Sequence, residues 1–241
     1  MTATRIFLRS WLPRPKYVLF AVIGLMMLIV LNLDRGLVDP HASIWERYRS
    51  FKWWLLPHGV TGALALFLGP LQFSDRFRQG LLPWHRVIGR IYVCGVGVAA
   101  PVGVYIEYIK YIHTIAPLRL FVATTAFGIL LVLTTGMGFF MAKHRNILAH
   151  KKWMTRSYAV ALIFLEVRCV DQIPWLARIV DWPSRMLETH SISDSWMFIA
   201  FSIVAAEVVL RCEKAFKKHS SLKKAGAITV EASPLHSQPG Q

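Results

Sequence analysis

The sequence predicts an all-α integral membrane protein that crosses a bilayer about six times. Three observations carry that expectation. The 241 residues are 55% hydrophobic and only 17% charged, with a mean hydropathy of +0.44, whereas a soluble domain carries about a quarter charged residues. The apolar residues gather in runs of about 20, the length a helix needs to span a hydrocarbon core at roughly 1.5 Å per residue. The 28 Lys and Arg, which give a net charge of +15, fall in short clusters between those runs. Such clusters orient membrane proteins and attract anionic headgroups. They leave no folded basic domain over, so the expected partner is a lipid bilayer with anionic headgroups and not nucleic acid.

The first apolar run, Tyr17 to Leu33, follows a basic stretch and is longer than a signal-peptide core. Asn32-Leu33-Asp34-Arg35 offers no small-x-small cleavage site, so this run is read as a retained first span. An amphipathic link, Ser43 to Arg49, leads into Trp53 and Trp54, whose rings suit the headgroup layer. The second span is expected at Trp54 to Phe73, with Pro57 in its first turn, where proline is tolerated. The third runs from Val87 to Tyr108, the fourth from Leu118 to Met141, the fifth from Trp153 to Trp175 and the sixth from Ser195 to Leu210. The chain thus divides into a cytoplasmic N-terminus over 1–16, a six-helix transmembrane domain over 17–212 with its core bundle at 54–175, and a tail over 213–241. That tail is basic at first and expected to be without order after about Ser220.

Charge sets the orientation. Arg5, Arg9, Arg14 and Lys16, then Arg76, Arg78 and Arg86, then Lys143, Arg145, Lys151 and Lys152, then Arg211 to Lys224 mark four inner segments. The outer segments mix signs, as in Asp34 and Arg35 or in Arg178, Asp181, Arg185 and Glu188. The positive-inside rule then places both termini on the cytoplasmic side of a cytoplasmic (inner) membrane.

A shift of 66 positions brings two hairpins into register. Gly62 falls on Gly128, Phe73 on Phe139, Leu82 on Leu148, Arg86 on Lys152, Arg90 on Arg156 and Tyr92 on Tyr158. Spans 2–3 and 4–5 read as parallel copies of one hairpin, packed as a four-helix bundle with spans 1 and 6 outside.

The polar residues inside the spans carry the candidate chemistry. His85 and His150 sit at the inner ends of spans 3 and 5. In a four-helix bundle those spans are diagonal, so the two imidazoles would face each other as axial ligands of one b-type haem. Gly89, Gly95 and Gly97 leave room for the ring, and Arg90 and Arg156 are the candidate propionate partners. The plainer reading is a wet headgroup contact. Nearer the outer side, Glu166, Arg168 and Asp171 lie about two-thirds of the way along span 5, with His58 at similar depth. Charges there are costly and are expected to face the bundle in pairs. Arg168 and Asp171, three apart, share a helix face, and with His58 and Glu166 they form a candidate outer polar pocket. Alternatively the pair simply holds helices together. Glu107 and Lys110 read as an interfacial ion pair, Glu207 as a partner of the basic loops, and Cys94, Cys169 and Cys212 as small buried residues. Phosphate-binding loops, nucleophile elbows, HExxH and paired-cysteine motifs are absent, so catalysis is left open and no metal beyond a haem iron is expected.

The set His58-Gly59-x-x-Gly62, Gly69-Pro70-Leu71-Gln72-Phe73, His85-Arg86-x-x-Gly89-Arg90-x-Tyr92 and Lys152-Trp153-Met154-x-Arg156-Ser157-Tyr158, with Arg168, resembles an uncharacterised family of predicted bacterial multi-pass membrane proteins. The resemblance covers about residues 54–170 and implies a multi-pass membrane fold in which His58, His85, His150 and Arg168 are typical positions. A looser likeness is to four-helix membrane cytochromes b, whose four-histidine pattern this chain lacks. Function is therefore expected to be redox, with one b-type haem or a quinone inside the bundle. The alternatives are a non-catalytic subunit or assembly factor within a membrane protein complex, and a small-molecule carrier using the outer pocket.

Reporter fusions after Gln79 and Asn146 are expected to read cytoplasmic, and a fusion within 178–188 external; an external signal from either of the first two would overturn the orientation.

Overall fold

The computed structural model of the protein describes residues 15–33, 35, 44–47, 49–113, 115, 117–172, 178 and 193–231. Helices stand at all six positions the sequence marks: α1 (Pro15–Leu33), α3 (Lys52–Gln72), α5 (Leu82–Ile112), α6 (Leu118–Lys143), α7 (Ile147–Gln172) and α8 (Ser193–Glu231). Two short helices join them, α2 (Ile44–Arg47) and α4 (Asp75–Gly80). Among the described residues α3, α5 and α6 are each long and apolar enough to cross a membrane, and α1 adds a shorter apolar stretch over 19–33. The expected outer residues Asp181, Arg185 and Glu188, and the end of the fifth span at Trp175, lie outside the described residues.

The helix bounds differ from expectation chiefly at the ends that carry His85 and His150 and at the end of α8. α5 begins at Leu82 and α7 at Ile147, so His85 and His150 are each the fourth residue of a helix rather than loop-edge residues. Local capping explains both starts. Pro83 lies in the first turn of α5, where its missing N–H is no loss. The turn into α7 is a Schellman closure: Asn146 N–H donates to Met141 O at 3.0 Å and Arg145 N–H to Ala142 O at 3.0 Å. Arg145 takes the left-handed conformation there, with φ 58, and Asn146 Oδ1 then caps α7 by accepting from Ala149 N–H at 3.1 Å. α8 runs through the basic stretch to Glu231 rather than ending at Leu210, because its Glu, Lys, Ala and Leu are good helix formers.

α3 packs on α5, α5 on α6 and α6 on α7, with a lighter contact from α3 to α7. α8 lies against α7 and α6, and α1 against α7. Small residues set the close approaches, as they do between helices in lipid. A Cβ on Gly95 would lie 2.9 Å from Thr61 O, one on Gly128 would lie 2.9 Å from Val104 Cγ2, and one on Gly138 would lie 2.5 Å from Met154 Sδ. The core gathers around α7, whose Ser157, Tyr158, Val160, Ala161, Ile163, Leu165 and Cys169 are all buried. On α1, Ile23, Met27 and Val30 turn inward, while Leu25 and Leu28 face outward. Cys94 and Cys212 are exposed on their helices, so of the three thiols expected inside only Cys169 is there.

The repeat partners behave unequally. Tyr92 and Tyr158 are both buried, with ring centroids 6.4 Å apart, and Arg86 and Lys152 are both exposed. Gly62 and Gly128, however, both approach α5, at Ala99 and at Val104. Phe73 packs on Tyr158 with centroids 5.4 Å apart, whereas its mate Phe139 is exposed beneath Lys143.

Tyr158 bridges α7 to α3: its hydroxyl donates to Leu66 O at 3.0 Å, and its ring fills the space above Gly69, where a Cβ would lie 2.0 Å from Cε2. Gly69→Ala is expected to destabilise the protein by about 1–3 kcal/mol, the range for overpacking. Thermal unfolding of detergent-purified protein reads it, and an unchanged melting temperature would show that the ring moves aside freely.

Candidate functional site

The end of the helix assembly that carries His85 and His150 holds the polar groups of interest. His85 is half-buried on α5, and its Nδ1 is buried without a hydrogen-bond partner. Gln72, the last residue of α3, leaves its Nε2 donor in the same condition. The Gln72 amide rests on α5 one turn beyond His85: a Cβ on Gly89 would lie 3.4 Å from Gln72 Oε1. A buried amide N–H without an acceptor costs about 1–3 kcal/mol, so such an atom calls for a partner.

His150 is held differently. Its Nδ1 lies 2.8 Å from Gly138 O; a carbonyl only accepts, so Nδ1 donates and Nε2 is left without a protein partner among the hydrogen bonds of the described residues. The charge of His150 acts on His85, as do those of Arg78 and Arg86. The structure therefore brings the two histidines to one end and within electrostatic reach. Arg90 is exposed, and Arg156 turns to α8, where its Nε donates to Glu207 Oε1 at 2.7 Å and its guanidinium lies 4.9 Å from the Trp153 ring centroid.

Two turns deeper lies a hydroxyl cluster. Tyr92 follows His85 by seven residues and Ser157 follows His150 by seven, a spacing that keeps each pair on one helix face. Tyr92 Oη and Ser157 Oγ are 2.8 Å apart, and Ser157 Oγ and Thr135 Oγ1 2.6 Å apart. Thr135 donates onward to Leu131 O at 2.7 Å. Ser157 is fully buried and Tyr92 is 1% exposed, so each hydroxyl depends on the others. The equal spacing of these residues from the two histidines was visible in the sequence and is the signal that would have marked them.

The outer residues face separate neighbours. His58 Nδ1 lies 2.8 Å from Ala99 O on α5, with its ring against Gly103. Glu166 accepts from Ser202 Oγ on α8 at 3.1 and 3.3 Å. Arg168 is half-buried and partnered; the side chain of Asp171, and with it the Arg168–Asp171 pair, lies outside the described residues. Glu107 and Lys110 form the expected ion pair, and Glu107 Oε2 is buried without a partner. Lys151 pairs with Glu213.

Apolar helices with outward-facing Leu, Ile, Val and Phe, joined by buried hydroxyl and ion contacts, define a helical membrane protein. A family model described as "Predicted membrane protein (DUF2306)" matches residues 55–182, more than half of the chain, and the protein belongs to that family, whose function is unknown. No curated protein and no solved structure matches the chain.

Removing one member of the hydroxyl cluster strands the others. Ser157→Ala is expected to lower stability by about 1–3 kcal/mol. Adding Tyr92→Phe to it is expected to recover part of the loss, since fewer unpaired groups are left buried. Unfolding of the two single variants and the double variant in detergent gives the coupling, and strictly additive losses would mean the hydroxyls do not act together.

Proposed function

We propose that this is a small redox protein of the cytoplasmic membrane that crosses the bilayer six times with both termini inside. In this reading α3, α5, α6 and α7 form a four-helix bundle of two repeated hairpins, and its inner end receives a quinone head group. The observation that carries the reading is the pair of orphaned polar atoms, Gln72 Nε2 and His85 Nδ1, beside His150. A quinone presents two carbonyl acceptors. The Gln72 amide is a donor by its chemistry, and a neutral His85 that carries its proton on Nδ1 is a second. Arg78 and Arg86, whose charges reach His85, favour the anionic character a quinone gains on reduction.

A b-type haem is the second occupant with an observation in its favour. His150, anchored through Nδ1 on Gly138 O, offers Nε2 in the way an oriented axial ligand does. The non-catalytic reading rests on α7, whose Arg156, Lys151 and Glu166 each find a partner on α8 and so bind helices together.

Thermal shift with a short-tail benzoquinone, together with visible spectra before and after dithionite, separates these readings. The quinone is expected to stabilise the purified protein, and Gln72→Leu or His85→Ala to weaken its binding about tenfold, the worth of one hydrogen bond of about 1.4 kcal/mol. A reduced b-type band that vanishes in His85→Ala and His150→Ala would replace quinone by haem. No stabilisation by quinone and no band from protein made with ample haem would leave the structural subunit.

A further inference from the structure

A cavity of about 140 Å³ opens between α6, α7 and α8, away from the histidine end of α5. Its apolar wall is Leu130, Val160, Ile203 and Ala206, and Trp153 and Arg156 border it. The volume is close to the ~150 Å³ that accommodates a benzene-sized guest, so it takes a few methylene groups rather than a whole molecule. Arg156 hydrogen-bonds to Glu207 through Nε, and its guanidinium lies 4.9 Å from the Trp153 ring centroid. Among the described residues its two terminal NH₂ groups make no hydrogen bond, and the side chain keeps 32% exposure. A planar pair of unused donors matches the two free oxygens of a phosphodiester.

The charge around that donor pair is one-sided. Lys152 and Arg156 are four apart on α7; Glu207, Arg211 and Lys214 follow the i, i+4, i+7 spacing of one α8 face. Arg156, Arg211 and Lys152 all act on the Glu207 carboxylate. With Lys151 and Glu213 paired to each other, the remaining acid, Glu207, among four cations leaves a net positive mouth beside an apolar slot. Basic pockets between helices on the cytoplasmic side are where anionic headgroups settle.

We infer that the α7–α8 groove is a binding site for one anionic phospholipid, its phosphate on Arg156 with Lys152 and Arg211, and the first part of an acyl chain in the cavity beneath. The groove faces the inner leaflet only if the orientation proposed above holds, but the chemistry of the site does not depend on it. Zwitterionic lipid carries the same phosphate without the net charge. Inorganic phosphate carries the charge without the chain.

The test is thermal stability and native mass spectrometry of the full-length protein in detergent micelles doped with phosphatidylglycerol, phosphatidylcholine or inorganic phosphate. Phosphatidylglycerol is expected to raise the melting temperature and remain bound, with phosphatidylcholine and phosphate giving neither effect. Lys152→Gln with Arg211→Gln is expected to weaken phosphatidylglycerol about thirtyfold, two cations at about 1 kcal/mol each. Arg156→Gln is expected to abolish retention, while Glu207→Gln, which frees the guanidinium, tightens it. Should Arg156→Gln fail to fold, the Lys152/Arg211 and Glu207 variants still decide. Equal stabilisation by phosphatidylcholine or by phosphate alone overturns the site, as does undiminished retention in the Lys152/Arg211 variant. None of these variants touches Gln72, His85 or His150, so the lipid site and the redox reading fail separately.

Discussion

The Arg156–Glu207 ion pair joins α7 to α8, and much of the architecture follows from the need for it. α7 carries Lys151, Lys152, Arg156, Glu166 and Arg168 in 26 residues, a polar burden that lipid does not tolerate uncovered. α8 covers it. Glu207 meets Arg156, Glu213 meets Lys151, and Ser202 meets Glu166. α1 closes another side, bringing Ile23, Met27 and Val30 into the shared core and setting Met26 O beside Cys169. The helices expected to stand outside a four-helix core thus pack against α7 and supply partners to its polar side chains.

The interior is satisfied unevenly along its length. At mid-depth it is tight: Gly69 yields its side-chain space to Tyr158, Gly95 lets α5 touch the backbone of α3, and Tyr92, Ser157 and Thr135 satisfy one another. Packing of this kind fixes helix positions and leaves little room for a guest. At the end that carries His85, Gln72 and His85 keep buried polar atoms without partners, as Glu107 does at the opposite end of α5. Satisfied polar groups hold a fold; unsatisfied ones at its edge point to what the fold is for. The hydroxyl layer of Tyr92, Ser157 and Thr135 lies two turns from the histidine layer.

Composition and charge order were enough to read a helical membrane protein, six helices and their approximate bounds, because hydrophobic length and the turn chemistry around Leu81 and Asn146 are local properties. The same is true of the Glu107–Lys110 pair, three residues apart on one helix. The family motifs likewise lie on contiguous stretches. Which face of α7 meets which helix is not local. Arg156 was paired with a haem propionate in the sequence reading, yet it lies on the α8 side of α7, six residues and about 120° around from His150. Glu166 and His58 share a depth but face α8 and α5. Depth is set by residue count along a helix, whereas direction is set by the rotation each helix adopts to bury its small and polar residues. Only the packing of Gly69 on Tyr158 and of Gly138 on Met154, together with the Glu207 contact, determines that rotation.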